Sequence, residues 1–350
     1  MNNFLEEILE QPKALKDTLE FYSKGNGKDI LMKITKVFKS RKFNKIIFTG
    51  MGSSYFTSFA ASNLFNNYNL ESYTFNSSEL LHYNISVLTS KTLLICFSQS
   101  GESFEIKELL KIIPPGVFCI GITNEAESTL AKKSDIALLS KAGREEMTST
   151  KTYVSILLLA YILGWSLTGN WNSNKVIAIK NLIKEVSKIL YDYESWSNEV
   201  LQFFGDISFM QVIARGPSYS SAMQSALMFK EATRTPAEGI FGGEFRHGPM
   251  EMVQEGFKSI LFAPEGKTNK QSLKMAEDIL EFGGKVLLIT NSDKQFIDSN
   301  IKVLNLNETD EYLFSILSVI PIQLIVDSFG KSKGLVAGSF SRGAKVTLKE

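Results

Sequence analysis

A glutamate and a histidine lie in one glycine-rich stretch in the second half of the chain. The segment FKEATRTPAEGIFGGEFRHGP, residues 229–249, contains Glu231, His247 and two further glutamates. A positioned carboxylate can remove a proton beside a carbonyl and return it to the next carbon, and an imidazole can move protons near neutral pH. A solvated helix glutamate and a surface histidine are the simpler interpretation. If Glu231 and His247 are catalytic, the segment predicts proton transfer on a small carbonyl compound.

Three serines follow a predicted buried strand in the first half. The segment CFSQSGES, residues 96–103, places Ser98, Ser100 and Ser103 at a turn from strand to helix, with Gln99 and Gly101 between them. Helix N-termini at the carboxyl ends of parallel strands bind anions, and hydroxyl donors with a glycine suit a phosphate there. Helix capping alone explains many such turns. The segment therefore predicts a phosphate site, with a capped turn as the alternative.

Two more hydroxyl-rich segments begin predicted helices in the first half. TGMGSSY, residues 49–55, places Ser54 at a second turn rich in glycine and serine, and REEMTSTK, residues 144–151, places Ser149 at the start of a long apolar helix. Helix capping is again the default interpretation of both. The turn at Ser54 is a candidate to face the same ligand as CFSQSGES.

Short β-rich runs alternate with helical segments along the whole chain. KIIFTG, TLLICF, GVFCIGIT and IALL are each followed by a segment with helical spacing. Such alternation predicts βαβ units, and hence a parallel sheet with helices on both faces. These elements would bring the serine turns to one edge of a sheet.

The alternating pattern occurs twice, which predicts a duplicated domain. FMQVIARGPSYSSAMQSALMF repeats KIIFTGMGSSYFTSFAASNLF, with Gly216 and Phe229 each 164 positions after Gly52 and Phe65. LFAPEGKT follows CFSQSGES by 165 positions, and LLITNSD follows IGITNEA by 167. Near-constant offsets over three segments are typical of an internal repeat. The second copy lacks the first two serines of the turn, so a role specific to the first copy is favoured.

Composition excludes several classes of protein. A chain of 350 residues with 44% apolar and 21% charged residues predicts a folded, two-domain protein. A net charge of +1 argues against a nucleic-acid partner and favours a small ligand. Cys96 and Cys119 lie in apolar runs, so buried thiols are expected and no disulfide, metal site or cofactor is predicted.

The sequence also gives an expectation about location. The N-terminus MNNFLEEILEQP lacks the pattern of a signal peptide. The most apolar run, ILLLAYILGWSL, is shorter than the roughly 20 residues that cross a bilayer. A cytoplasmic protein without a membrane partner is therefore expected.

The segment KEATRTPAEGIFGGEFRHGPM resembles the signature of the sugar isomerase (SIS) domains in the synthase half of glutamine:fructose-6-phosphate amidotransferase. The resemblance extends to EEILEQP, GMGSSY, FSQSGES, TSTK and AKVTLKE, which are similar to that family's first helix, its two sugar-phosphate turns, its Ser-Thr-Lys helix start and its C-terminal tail. It implies an α/β fold of two tandem SIS domains, each a flavodoxin-like parallel sheet between helices. The expected divisions are a helical segment at 1–40, domains at 41–168 and 198–335, a connecting helix at 169–197 and a tail at 336–350.

The same resemblance implies roles for individual residues. Residues that would bind the 6-phosphate or lie near it are Ser54, Ser98, Gln99, Ser100, Ser103 and Ser149. Glu231 would be the proton shuttle, His247 would open the sugar ring in the neighbouring subunit, and Lys345 would approach the open-chain carbonyl. Sharing of His247 between subunits implies a homodimer.

Three departures from the family pattern affect the expected reaction. The glutaminase domain is absent from the sequence, Met228 replaces a family lysine one helical turn before Glu231, and AGREEMTSTK is about one residue shorter than its counterpart. The first two favour a degradative reaction on an amino-sugar 6-phosphate. An apolar Met228 would tolerate a bulky amine, which favours a fructosamine-6-phosphate deglycase over a glucosamine-6-phosphate deaminase. A phosphosugar sensor without catalysis is the alternative of another class.

Overall fold

The computed structural model describes residues 2–307, 309–339, 342 and 344–347, which form two compact units. The first unit comprises Glu10–Ile183 together with the described residues of the C-terminal tail. The second unit comprises residues 2–9 and Lys184–Ser339. Each unit contains one five-stranded parallel sheet.

The helices and strands alternate along the chain as the sequence predicts. The helices are α1 (Asn3–Leu9), α2 (Gln11–Ser23), α3 (Gly25–Arg41), α4 (Ser53–Asn67), α5 (Ser77–His82), α6 (Phe104–Ile112), α7 (Thr129–Lys133), α8 (Lys151–Leu167), α9 (Ser173–Tyr191), α10 (Tyr193–Phe204), α11 (Ser218–Thr233), α12 (Gly242–Arg246), α13 (Asn269–Glu281) and α14 (Glu311–Ser332). The strands are β1 (Lys45–Gly50), β2 (Ser72–Asn76), β3 (Thr92–Phe97), β4 (Phe118–Thr123), β5 (Ile136–Leu139), β6 (Met210–Ala214), β7 (Ala237–Phe241), β8 (Lys258–Ala263), β9 (Lys285–Thr290) and β10 (Ile301–Asn305). Short 3₁₀ turns occur at Ile85–Val87 and Pro249–Met252.

The sheet of the first unit has the strand order β2-β1-β3-β4-β5. Its central strands are apolar and buried on both faces, as parallel strands covered by helices must be. Helices α4 and α8 pack together on one face, while Leu80 of α5, Leu109 of α6 and Leu130 of α7 share a core cluster on the other. This is the flavodoxin-like order predicted from the sequence.

The sheet of the second unit has the order β10-β9-β8-β6-β7, which is the same order counted within its own repeat. Helices α10, α11 and α14 pack together on one face. Phe245 of α12 and Met275 of α13 share a core cluster with Ile213 of β6 on the other face. The predicted duplication of one α/β domain is therefore confirmed.

Strand β7 occupies part of the glycine-rich stretch that contains Glu231 and His247. Gly239 lies in the middle of the strand, which pairs with β6. A Cβ at Gly239 would lie 2.9 Å from the backbone carbonyl of Ala222 in α11. The glycine is therefore needed for the close approach of helix and strand.

Helix α14 is the most extended apolar helix in the described residues. By length and composition alone it could cross a membrane, but 94% of its apolar window is buried inside the protein. It packs on α11 and α10, and Asp310 caps its first turn by accepting from the amides of Tyr312 and Leu313. Such burial is what the core helix of a folded domain shows.

The predicted divisions at 1–40, 41–168, 169–197, 198–335 and 336–350 stay predictions.

The two cysteines are buried on adjacent strands of the first sheet, with Sγ of Cys96 3.9 Å from Sγ of Cys119. The contact with Cys119, together with burial, raises the pKa of the Cys96 thiol. Both residues are free thiols, as expected from their apolar surroundings.

Candidate active site

A recess lies at the carboxyl ends of β1 and β3 in the first unit. These two strands are neighbours, and the helices that follow them, α4 and α6, leave to opposite faces of the sheet. Such a switch point is where open α/β sheets bind ligands. The recess is lined by Ser53, Ser54, Thr57, Gln99, Ser149, Thr152, Tyr153 and Ile156. Three of the predicted phosphate ligands, Ser54, Gln99 and Ser149, are thus brought together.

Two glycines allow β1 to turn directly into α4. A Cβ at Gly50 would lie 2.8 Å from the carbonyl carbon of Ser54, so any side chain there would force the helix away. Gly52, the N-cap residue, has φ +52°, which favours glycine. The turn therefore places Ser53 and Ser54 in the first turn of α4, facing the recess.

The predicted serine turn is held together by its own hydroxyls. Ser98 Oγ accepts from the amide of Gly101 at 3.1 Å, and Ser100 Oγ accepts from the amide of Glu102 at 3.1 Å. A serine hydroxyl that accepts a hydrogen bond still has its own proton to donate. Structural capping and anion binding are therefore compatible at Ser98 and Ser100. From this turn, Gln99 lines the recess.

Gly101 is required for a reason that the sequence did not indicate. Its φ is +64°, and a Cβ would lie 2.2 Å from Oγ and 2.5 Å from Cβ of Ser128. Ser128 is the N-cap of α7, where its side chain accepts from the amide of Ala131. The glycine was expected to let the backbone approach an anion, but packing against the next helix already demands it.

A buried carboxylate, Glu145, organises the loop that carries Ser149. Its Oε1 accepts from the amides of Thr150 at 2.8 Å and Thr152 at 3.1 Å, and its Oε2 accepts from Nζ of Lys345 at 2.5 Å. Burial raises the pKa of Glu145, but the ammonium of Lys345 and the hydrogen bonds from Thr152 and Thr150 outweigh it. The net pKa is below the ordinary value of 4.5. Glu145 is therefore ionised at neutral pH.

The C-terminal tail contacts both predicted phosphate loops. Lys345 Nζ also donates to the carbonyl of Met147 at 2.6 Å and lies 3.5 Å from Ser149 Oγ. The carbonyl of Thr347 accepts from the amide of Phe104, directly after the serine turn, at 3.1 Å. The tail thus places the ammonium of Lys345 beside Ser149.

Sequence reasoning did not identify Glu145. The adjacent Glu146 is about half exposed and pairs with Arg144. Nothing local distinguishes two neighbouring glutamates, because the partner of Glu145 is 200 residues away in the chain. The lysine of the TSTK motif, Lys151, is nearly buried and pairs with Glu10.

Glu231 lies near the C-terminal end of α11 in the second unit. The helix ends at Thr233, Arg234 adopts a left-handed conformation, and Pro236, which cannot continue a helix, follows. Glu231 is half-buried, on the sheet face that carries α11 and α14. Met228, one turn earlier, is fully buried, so it does not form an open apolar wall beside Glu231 in this unit.

His247 directly follows α12 and is exposed. Its amide donates to the carbonyl of Glu244 at 2.9 Å. Because Phe245 packs with Phe257 and Met275, α12 lies on the sheet face opposite to α11. The second unit therefore does not bring Glu231 and His247 together, since the strands lie between them.

The chain matches a known protein family and relatives of known description. A family model described as SIS domain matches residues 40–164 and 208–328. The chain is 29% identical over 336 residues to glutamine--fructose-6-phosphate aminotransferase [isomerizing] of Pyrococcus horikoshii, covering 94% of this chain and 55% of that protein. It is 28% identical over 342 residues to the protein of that description from Wigglesworthia glossinidia brevipalpis, again covering 94% of this chain and 55% of the relative. The chain spans about half the length of these relatives.

Solved structures with similar folds include enzymes of sugar-phosphate metabolism. The C-terminal domain of glucosamine-fructose-6-phosphate aminotransferase from Francisella tularensis has a TM-score of 0.84 and 24% identity, covering 97% of this chain and 98% of that one. A glucosamine-6-phosphate deaminase from Thermotoga maritima has a TM-score of 0.77 and 20% identity, covering 99% of both chains. A tagatose-6-phosphate ketose/aldose isomerase from Escherichia coli has a TM-score of 0.81 and 19% identity, covering 96% and 95%. At these identities the similarity shows the fold.

Proposed function

We propose that this chain, which belongs to the SIS domain family, moves a proton between C1 and C2 of an amino-sugar 6-phosphate and releases the amine. The observation that carries the proposal is the recess at the switch point of the first sheet. Ser54, Gln99 and Ser149 line it, and the ammonium of Lys345 lies 3.5 Å from Ser149 Oγ. This combination of hydroxyls and a cation suits a phosphorylated sugar.

The phosphate would be held by donors that the fold already orients. Helices α4 and α8, of 15 and 17 residues, both begin at the recess, and the positive ends of their dipoles favour an anion there. Ser54, Gln99 and Ser149 would donate from the walls. The hydroxyls of the serine turn, at Ser98, Ser100 and Ser103, would complete the site, since each retains a proton to donate. Fixing the remote phosphate restrains the open-chain sugar.

The chemistry would be carried by the residues that the family resemblance indicates. Glu231 would take the proton from one carbon and return it to the other, which turns the amino sugar into an imine. Water then adds to the imine carbon, its oxygen becomes the new carbonyl oxygen, and the amine leaves with both hydrogens of that water. His247 would transfer the proton that opens the ring, and Lys345 would stabilise charge at the carbonyl oxygen.

The positions of Glu231 and His247 support a homodimer with shared sites. The two side chains belong to opposite faces of the second sheet, so one sugar is not expected to contact both within one copy. A site that uses Glu231 of one copy and His247 of another satisfies both positions. Isologous dimers commonly build sites this way.

Two substrates remain under this proposal. A fructosamine 6-phosphate, cleaved to glucose 6-phosphate and an amine, is the substrate that the sequence favours. Glucosamine 6-phosphate, converted to fructose 6-phosphate and ammonia, is the second candidate. The burial of Met228 favours the second, because it removes the open apolar wall that was expected to accept a bulky amine.

A competition experiment tests the proposal and ranks the substrates. Purified protein is incubated with equal concentrations of both compounds, and glucose 6-phosphate and fructose 6-phosphate, which have the same mass, are separated by ion chromatography before detection by mass spectrometry. Appearance of either product with the matching amine supports the reaction, and their ratio identifies the preferred substrate. Tight binding of phosphosugars without any product would replace the proposal by a sensor function.

A further inference from the structure

Glu145 is the most extensively hydrogen-bonded carboxylate around the recess, and the proposed reaction gives it no task. Its side chain is fully buried, whereas the adjacent Glu146 is about half exposed. Besides the two threonine amides, it accepts from both threonine hydroxyls, Thr150 Oγ1 at 3.2 Å and Thr152 Oγ1 at 2.5 Å. A buried ion is tolerated only where such donors and an opposite charge compensate its desolvation.

The carboxylate of Glu145 links two parts of the first unit. Oε1 accepts from the amides of Thr150 and Thr152 at the start of α8, so it fixes the carboxylate to that helix. Oε2 accepts from Lys345 in the tail and also from the hydroxyl of Thr152. Among the described residues, the other hydrogen-bond partners of the Lys345 ammonium are the carbonyl of Met147 and the more distant hydroxyl of Ser149. The carboxylate is thus the one charged group recorded within contact of this ammonium in the described residues.

We propose that Glu145 is the positioning residue for Lys345: its buried carboxylate holds the tail ammonium beside Ser149 and so aligns it with a sugar bound in the recess. This inference rests on the proposed function for its catalytic consequence, but not for the contact itself. Glu145 does not touch the substrate in this account. It acts through Lys345, and its removal misplaces the ammonium while the recess remains.

The test uses the full chain with four variants: Glu145→Gln, Lys345→Met, the double variant, and Glu146→Gln as the matched control. Glutamine keeps the shape and an oxygen for the amides of Thr150 and Thr152, but it loses the charge that holds Lys345. Turnover of Glu145→Gln should fall about 10- to 100-fold, as small misplacements of catalytic groups do. KM should change less than about threefold, because the phosphate donors stay.

The double variant separates positioning from a general structural effect. If Glu145 acts through Lys345, adding Glu145→Gln to Lys345→Met should change kcat by less than about twofold. A scaffold role would lower kcat by the same factor in either background. Circular dichroism melts of all variants identify any that fail to fold, and the glutamine of the double variant should relieve the unpaired buried charge of Lys345→Met.

Chemical labelling provides a readout that needs no substrate. Modification of Lys345 by an amine-reactive ester is followed by mass spectrometry, with the exposed Lys13 as internal reference. Lys345, whose side chain is 19% exposed, should be labelled at least about fivefold faster in Glu145→Gln, and at the wild-type rate in Glu146→Gln.

The two arms distinguish the possible failures. Faster labelling with no turnover of any amino-sugar phosphate by the wild type would refute the proposed function and leave Glu145 as the residue that holds the tail. Unchanged labelling and unchanged kcat in a folded Glu145→Gln would overturn the positioning role while the proposed function stands. Additive losses in the double variant would overturn it as well.

Discussion

The turn after β3 in the first unit and the turn after β8 in the second are copies of one scaffold, but different side chains surround them. In the first copy, Ser98 and Ser100 bridge their own turn, and the neighbouring recess is lined by polar side chains. In the second copy, the amide of Lys267 donates to a carboxylate oxygen of Glu311 at 3.2 Å. One of the protein's own carboxylates therefore contacts the turn of the second copy.

Packing around the two turn glycines reflects the same difference. A Cβ at Gly101 would strike Ser128, the cap of the next helix, whereas a Cβ at Gly266 would lie 2.2 Å from the carboxyl carbon of Glu311. Burial raises the pKa of Glu311, and the hydrogen bond from Lys267 partly offsets this. The turn of the second copy thus contacts the protein's own carboxylate, whereas the turn of the first copy borders an open recess.

Mixing of two inactive variants should give the largest effect. Glu231→Gln and His247→Ala should each lose at least about 100-fold in turnover, as general acid–base residues do. If one site uses Glu231 and His247 from different copies, mixed dimers contain one intact site. After subunit exchange the mixture should recover about a quarter of the wild-type rate, as random pairing of two protomers predicts. No recovery despite demonstrated exchange would place both residues in one copy.

Removal of hydroxyls from the two turns should separate the copies by ligand affinity. Ser100→Ala with Ser103→Ala should weaken binding of a sugar phosphate by about 1.5–3 kcal/mol for each lost charged hydrogen bond. Affinity for the unphosphorylated sugar should barely change. Thr268→Ala, in the second copy, is the matched control and should leave both affinities unchanged in calorimetry. Equal weakening for both sugars would mean that the serines only cap the turn.

Alanine at the two turn glycines should give a smaller difference, in stability. Gly101→Ala should lower the free energy of unfolding by at least about 2 kcal/mol, because left-handed strain costs roughly 1–2 kcal/mol and Ser128 must also move. Gly266→Ala should lose stability mainly through backbone strain, because its φ is +144° and the end of the Glu311 side chain can swing away. Gly143→Ala isolates the backbone strain, because its φ is +77° and nothing lies near the added methyl group. Equal losses of unfolding free energy in Gly101→Ala and Gly143→Ala, measured by chemical denaturation, would contradict the packing argument.

The stability contributions of the buried Glu145 and the partly buried Glu311 should respond to pH with opposite sign, and this is the smallest expected effect. The folded pKa of Glu145 is lowered, so its stabilisation is complete above about 4.5 and is lost as pH falls through the folded value. The folded pKa of Glu311 is raised, so stability falls as pH rises from 4.5 through its folded value. The free energy of unfolding that the wild type has in excess of Glu145→Gln should therefore decrease as pH falls. Relative to Glu311→Gln, the free energy of unfolding of the wild type should increase as pH falls. Denaturation curves between pH 3 and 7 would show parallel changes if the assignment is wrong.

The sequence predicted those features that depend on local pattern. The bounds of β1 and β3 match the runs KIIFTG and TLLICF, because buried parallel strands are continuous apolar segments between turn residues. The duplication was visible because near-constant offsets survive even where individual residues change. The same offsets matched the turn at Ser98 to Ser103 with its counterpart at residues 263–268 in the second copy.

Features that depend on distant contacts could not be predicted. The importance of Glu145 depends on Lys345, and the filling of the second turn depends on Glu311, which is far from Gly266 in the chain. Strand β7 was not predicted, because a glycine in the middle of a segment is unusual for a strand. Its close contact with α11 is the reason that Gly239 must be a glycine. The opposite faces of α11 and α12 follow from the direction of each crossover, which only the strand order gives.

The central claim is that Glu231 moves a proton of a bound amino-sugar 6-phosphate and contributes little to its binding. The most direct measurement compares wild type with Glu231→Gln, using calorimetry for binding of the amino-sugar 6-phosphate and mass spectrometry for product. The account predicts nearly equal affinities, with turnover lower by about 10²–10⁴-fold in the variant, because the amide keeps the shape but cannot accept a proton. A variant that retains more than about a tenth of the wild-type turnover would contradict the claim.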